Sequence, residues 1–489
     1  MARGNTMLQT PESFKNEPPL DFTIESNRLS FGGALKRVKA EIEAQKFKAA
    51  PIIAGKELSG SETIASIDPS DGTTTVASVE LASTEQAEAA LKSLSEGSSG
   101  WEALSFEKRA EIIERAGELM RKDRLRLAAT IVYEAAKPWK EADADVCEAI
   151  DFCFYYAAEM RRLGPPQVTD QVMGEQNIYF YQPRGVAVVI SPWNFPLAIS
   201  CGMTVAALVT GNATVLKPAE QTSYIAYEFA KILLEAGVPQ DAFAFLPGRG
   251  EVIGRHLVNS PLTDLICFTG SKAVGLEIIK NAATVHPGQK NIKRVITELG
   301  GKNAIIIDED ADLDEAIKGV LYSAFGFSGQ KCSACSRVIV VGDAYQVFLE
   351  RITEAASDLI IGPADDPATY FGPVIDEESQ KRILKTIDSA KSGSTVAFEG
   401  QAPSPGYYVP AVIFKDVDHS TSLWREEIFG PVLAVSPAKD FEEALKTAND
   451  SAYALTGGLY SRSPAHIEQA TRQFKVGNLY INRGCTGAI

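Results

Sequence analysis

The chain has 489 residues, 45% of them hydrophobic and 23% charged, an ordinary globular composition with room for roughly two to four domains. A net charge of −15 argues against nucleic acid or an anionic membrane as the main partner. Seven cysteines at irregular spacing argue against a disulfide framework and for a reducing compartment, and no apolar run reaches the ~20 residues of a membrane span.

The opening "MARGNTMLQTPESFKNEPPLDF" lacks the apolar stretch of a signal peptide and the arginines of a mitochondrial presequence, so a cytoplasmic location is expected. Residues 1–30 are polar and contain prolines, which predicts an extended arm. Charged amphipathic helices follow in "ALKRVKAEIEAQ", "STEQAEAALKSL", "SFEKRAEIIERAGELMRKDRLRLAATIVYEAA" and "EADADVCEAIDFCFYYAAEM". The paired prolines of "RLGPPQ" end that region. "GEQNIYFYQPRG" alternates like a β-ribbon.

The period then changes. "GVAVVIS", "ATVLKPA", "AFAFLPG" and "DLICFTG" are short apolar runs, each followed by a turn and, in places, a helical pattern such as "YIAYEFAKILLEAG". Strands buried on both faces read this way, and the alternation predicts a parallel sheet with crossover helices. A second α/β series begins near residue 295 with "RVITELGG", "NAIIID", "RVIVVG", "GPVLAVSPA" and "GGLYS". The reading is two α/β units joined near Glu298.

"GQKCSACSR" frames Cys332 and Cys335 as C-x-x-C. A zinc site needs a second ligand pair, and neither another C-x-x-C nor a spaced histidine pair supplies one. A redox dithiol, two buried apolar cysteines, or one nucleophile beside a bystander remain. A nucleophilic cysteine needs oxyanion donors and a base. Glu298, at the end of an apolar strand beside two glycines, offers a carboxylate. Asn194, between two prolines in "SPWNFP", offers a neutral amide donor. Each alone reads equally well as an ordinary loop or turn residue.

Together, "SPWNFP", "FTGS", "ELGGKN", "GQKC" and "EEIFGPV" resemble, in order and spacing, the aldehyde dehydrogenase superfamily from about residue 40 to the end of the chain. The resemblance implies a Rossmann-type NAD-binding domain (36–163 and 184–297), an α/β catalytic domain (298–489), an oligomerisation β-ribbon (164–183) and an N-terminal arm (1–35). In the superfamily the chain continues with a Gly-Gly-Phe segment and a strand exchanged between subunits, so a homo-oligomer is implied whose tail strand this chain lacks.

By the same resemblance Cys332 is the nucleophile, Asn194 an oxyanion donor and Glu298 the activator of hydrolytic water. NAD would be held by Ile190, Ser191, Pro192, Trp193, Lys217, Glu220, Gly250, Gly254, Gly270, Ser271, Leu299, Gly300, Glu427 and Phe429, with no metal. A carboxylate at Glu220 would bind the ribose 2′-hydroxyl and repel a 2′-phosphate, favouring NAD over NADP. "KPWKEADADVCEAIDF", "GFSGQKCSACSR" and "NLYINRGCTGAI" are similar to the branch that oxidises L-glutamate γ-semialdehyde, the open form of pyrroline-5-carboxylate. Its small-molecule substrate would meet Glu148, Phe195, Ser333, Gly487 and Ala488. The alternatives are another aldehyde or semialdehyde dehydrogenase, a cofactor-independent thiol hydrolase, or an NAD-binding protein with little turnover.

Overall fold

The computed structural model describes residues 14–487. Residues 1–13 of the expected arm and Ala488 lie outside them. The described part of the arm departs from the sequence reading, because a helix, Glu25–Glu43, starts inside it. The pattern "ESNRLSFGG" has little apolar content, yet Phe31 continues the stripe of Ala34, Leu35, Val38 and Ile42, and all five are buried. Ahead of that helix the backbone N–H of Leu20 donates to Asp143 Oδ2 at 2.7 Å, and Arg124 Nε donates to the other oxygen at 2.7 Å.

Two compact units divide the chain. One holds residues 1–66, 75–131 and 142–298; the other holds 67–74, 132–141 and 299–489. The two short excursions, 67–74 and 132–141, carry no compositional signal, and the sequence reading groups them with the first unit.

A seven-stranded sheet organises the first unit. Arg294–Glu298, Leu265–Thr269, Val186–Ile190, Ala213–Lys217 and Phe243–Phe245 run parallel in that order. Val186, Ala187, Val188 and Val189 are all buried, as two-sided burial by crossover helices requires. "RVITELGG" therefore closes the first sheet as its edge and does not open the second series, because its strand pairs with Leu265–Thr269 over five residues. At the other edge, Ile52–Ile53 and Lys56–Glu57 add an antiparallel hairpin. Its turn residues Ala54 and Gly55 have φ of +48° and +71°, which is what a two-residue hairpin of matching twist needs. The helices Thr84–Gly97 and Arg255–Asn259 cover one face, burying Ala87, Leu91, Leu94 and Leu257 against Val186, Val188 and Val215. Gln167–Asp170 and Asn177–Tyr179 pair antiparallel as a separate ribbon whose Val168, Met173, Ile178, Tyr179, Phe180 and Tyr181 are exposed.

The second unit has its own seven-stranded sheet. Val412–Lys415, Val432–Ala438, Cys335–Val341, Asn303–Ile307, Thr456–Tyr460 and Asn478–Ile481 are parallel, and Thr395–Glu399 pairs antiparallel at one edge. Both faces are buried. Ile305, Ile307, Val338 and Val340 pack to one side with Phe325 and Phe348; Ala304, Ile306, Ile339 and Val341 pack to the other with Phe441 and Trp424. Alternation along each strand sorts these residues, since successive side chains point to opposite faces.

Candidate active site

In the first unit, the expected site residues gather where strands end. Val186–Ile190 runs into Ser191, whose N–H donates to Lys217 O at 3.1 Å and whose hydroxyl oxygen accepts from Ser200 Oγ at 2.8 Å. Pro192, Trp193 and Phe195 are half-buried around a buried Asn194. The helix that follows, Ala198–Val209, has its first N–H capped by the buried Asp145 at 2.7 Å, which fixes the turn. Lys217 ends the neighbouring strand. Its ammonium donates to Pro218 O at 2.7 Å and lies 3.5 Å from Glu220 Oε1. Burial pulls the Lys217 pKa below its ordinary value, against the opposing pull of Glu220.

Glu220 Oε1 also accepts from the N–H of Gly250 at 2.7 Å. Ile190, Glu220, Gly250, Gly254, Val258 and Ile278 line a cavity of about 320 Å³. Of the residues assigned to NAD, four thus wall one cavity with Lys217 beside it, and its carboxylate is the group a ribose hydroxyl needs. Gly270 N donates to Glu298 O at 3.1 Å, so Gly270 and Glu298 sit side by side at adjacent strand ends, with the Glu298 side chain exposed. Ser271 accepts from Val274 N at 3.4 Å and caps the helix Lys272–Ala282. Glu148 lies half-buried on the helix Trp139–Leu163.

In the second unit, Cys332 differs from every other thiol. All seven cysteines fall within the described residues, and only Cys332 is not buried. Its C-x-x-C neighbour Cys335 points away into the core, where it pairs with the Cys485 thiol and donates to Arg337 O at 3.4 Å. Cys335 is thus an interior packing group. The segment before Cys332 is held on both sides. Phe327, Ser328 and Gly329 take left-handed φ of 51°, 58° and 67°, and a Cβ at Gly329 would run into Gly430 O. Gln330 Oε1 accepts from Ile375 N at 2.9 Å. Lys331 Nζ donates to Glu141 Oε1 at 2.8 Å. Burial pushes the Glu141 carboxyl up, but Lys331 and Lys137 outweigh it and hold it below its ordinary value.

Asn303 Nδ2 donates to Cys332 O at 2.7 Å and to Ala334 O at 2.9 Å. Ser333 is half-buried, and its carbonyl accepts from Thr456 Oγ1 and Cys485 Sγ, both at 3.4 Å. Leu299 and Gly300 lead into the strand Asn303–Ile307. A Cβ at Gly300 would collide with the Glu427 carboxylate, which accepts from Gly301 N at 2.9 Å. Burial raises the Glu427 pKa. Phe429 takes φ of +57°, and Gly487, exposed with φ of +74°, accepts from Arg483 at 3.1 Å. Next to Glu427 lies Lys302, buried with no hydrogen-bond partner on Nζ and pulled down to about 7 by burial and by Arg337.

The residues that hold the Cys332 segment, namely Glu141, Asn303, Gln330 and Lys331, were missed from sequence. Asn303 and Lys331 do sit inside the motifs "ELGGKN" and "GQKC", the one signal that could have drawn attention to them.

Residues 57–489 match the aldehyde dehydrogenase family, and the chain belongs to that family. It is 47% identical over 480 residues to the 1-pyrroline-5-carboxylate dehydrogenase of Geobacillus sp. strain WCH70, covering 98% of this chain and 92% of that one. Among solved structures it superposes on the Thermus 1-pyrroline-5-carboxylate dehydrogenase with bound NAD at a TM-score of 0.95, with 42% identity over 98% of this chain and 92% of the other. It also matches proline utilization A from Bdellovibrio bacteriovorus at a TM-score of 0.96 and 48% identity, covering 98% of this chain and 50% of that chain.

Proposed function

We propose that the protein oxidises L-glutamate γ-semialdehyde, in equilibrium with pyrroline-5-carboxylate, to L-glutamate with NAD. The observation that carries a cysteine mechanism is the isolation of Cys332 as the one thiol not buried, on a segment tied down from both directions. The substrate is supported by identities of 43–47% over nearly the whole chain to relatives that bear the name 1-pyrroline-5-carboxylate dehydrogenase.

The Cys332 thiolate adds to the aldehyde carbon and forms a C–S bond, leaving a thiohemiacetal oxyanion. The Asn194 amide and the Cys332 N–H donate to that oxygen; losing one such donor costs roughly 3 kcal/mol of transition-state stabilisation. NAD, when bound, supplies the acceptor for the hydride that leaves the same carbon. The thioester left on Cys332 is hydrolysed by water whose proton Glu298 takes, and the thiolate departs. Lys217 and Glu220 hold the ribose of the cofactor, with Ile190, Gly250 and Gly254 around it and Ser191, Pro192, Trp193, Gly270 and Ser271 completing the first unit's share. Leu299, Gly300, Glu427 and Phe429 hold its nicotinamide end. Glu148, Phe195, Ser333, Gly487 and Ala488 line the substrate, whose α-carboxylate suits backbone N–H donors. In this reading the first unit binds the cofactor, the second bears the nucleophile, and the ribbon at 164–183 serves association with a second copy.

The test follows NADH formation with pyrroline-5-carboxylate, propanal and succinic semialdehyde side by side. Fastest turnover of pyrroline-5-carboxylate is expected. Faster turnover of the simple aldehydes overturns the substrate, and NAD binding without NADH from any aldehyde overturns the activity.

A further inference from the structure

Three consecutive carbonyls, those of Cys332, Ser333 and Ala334, each accept a hydrogen bond from a side chain outside the segment. Asn303 Nδ2 donates to those of Cys332 and Ala334, at 2.7 and 2.9 Å. Thr456 Oγ1 and Cys485 Sγ donate to that of Ser333. Asn303 and Thr456 are the first residues of two adjacent parallel strands, and Thr456 N donates to Asn303 Oδ1 at 3.0 Å. The buried Asn303 amide therefore uses both hydrogens and its oxygen in three bonds. No other side chain of that length offers two donors and an acceptor in one plane. Gly301 keeps the space clear, since a Cβ there would collide with Cys332 O and with the Asn303 amide.

We propose that Asn303 is a positioning residue for catalysis, setting the backbone at Cys332 so that the Cys332 N–H is aimed at the developing oxyanion. The inference rests on the reading of Cys332 as nucleophile and its N–H as donor. That N–H belongs to the peptide joining Lys331 to Cys332. Upstream, the Lys331 carbonyl, which shares that peptide, accepts from Ala334 N at 3.0 Å, and the Gln330 and Lys331 side chains are tied to Ile375 N and Glu141. Downstream, Asn303 fixes the next peptide plane. With both flanks held, the N–H cannot swing without breaking a buried hydrogen bond. Donors preorganised in this way are the ones that count toward the transition state.

The experiment uses the full chain with Asn303→Asp, which keeps the acceptor for Thr456 N but turns oxygen lone pairs on the two carbonyls. Asn303→Ser, which keeps one donor, is the second variant should the first not fold. NADH formation from pyrroline-5-carboxylate, NAD affinity by calorimetry and the rate of Cys332 alkylation by iodoacetamide are measured together. For Asn303→Asp, kcat is expected to fall about 100-fold, with partial recovery in Asn303→Ser. NAD affinity and alkylation should stay within about threefold of wild type, because alkylation places no charge on a carbonyl oxygen. A folded variant with wild-type kcat overturns the proposal, and so does a parallel fall in all three readouts, which marks a general structural role. A wild type that oxidises no aldehyde sinks the functional reading itself, and this inference with it.

Discussion

Glu141 and Lys331 form an ion pair at 2.8 Å with side chains only 8% and 5% exposed, immediately before Cys332. A charge left alone in such a place costs more than the pair contributes. Glu141→Ala is therefore expected to lower unfolding free energy by about 3–5 kcal/mol in urea titrations. The double variant Glu141→Leu with Lys331→Met should recover most of it. A single variant as stable as wild type contradicts the pairing.

Glu220 accepts from Gly250 and neighbours Lys217, facing the cavity assigned to the adenosine ribose. Replacing it with alanine removes both a hydroxyl acceptor and the charge that repels a 2′-phosphate. The KM for NAD should rise about tenfold while the ratio of kcat/KM for NADP over NAD increases. Steady-state kinetics with the two cofactors decide this, and an unchanged ratio removes Glu220 from discrimination.

Glu298→Gln retains hydrogen bonding but cannot take a proton. A single burst of NADH near one equivalent per site is expected, followed by a steady rate lowered about 100-fold. Stopped-flow absorbance checks both phases. Normal steady turnover would strip Glu298 of its role.

Cys335, buried against Cys485, is set apart from Cys332 by its surroundings. Cys332→Ala should abolish NADH formation. Cys335→Ala should leave kcat within about threefold and cost about 1–2 kcal/mol of stability from the small cavity it opens. Equal loss of activity in both variants contradicts the assignment.

Lys302 carries a pH signature. Burial lowers its folded-state pKa to about 7, whereas the unfolded chain keeps the ordinary lysine value. Between those values the unfolded chain binds the extra proton, so this residue makes stability rise with pH across that window; its cost is full below about 7. Lys302→Met should thus be more stable than wild type near pH 6, with the advantage shrinking toward pH 10. Denaturation series at several pH values test this, and an advantage independent of pH refutes it.

The strands 186–190, 213–217 and 265–269 were legible because each is a short apolar run bounded by turn residues, the pattern of a strand buried on both faces. The helix over residues 25–33 was not, since one phenylalanine commits it. "RVITELGG" was put with the wrong sheet because pairing partners far along the chain, not composition, decide membership. At the site, the motifs carried the residue types expected to meet substrate and cofactor. They carried nothing of the scaffold around Cys332, because a bond from Asn303 to a carbonyl 29 positions away leaves no local pattern. The motif shows glycines at 300 and 301 without their surroundings; at 301 the reason is the Cys332 carbonyl that occupies the space.

Gly300 and Gly301 have a practical meaning for anyone who would evolve this protein toward other aldehydes. The movable end of the Glu427 side chain crowds Gly300, whereas the fixed Cys332 carbonyl crowds Gly301, so codon randomisation at 301 will return only the parental letter among active clones. Gly254 is different: a methyl group would meet Lys217 at an ordinary 3.7 Å, so alanine is admitted beside the cavity that Glu220 and Gly250 line. Libraries that aim to retune this enzyme have freedom around Gly254 and almost none at Gly301 beneath Cys332.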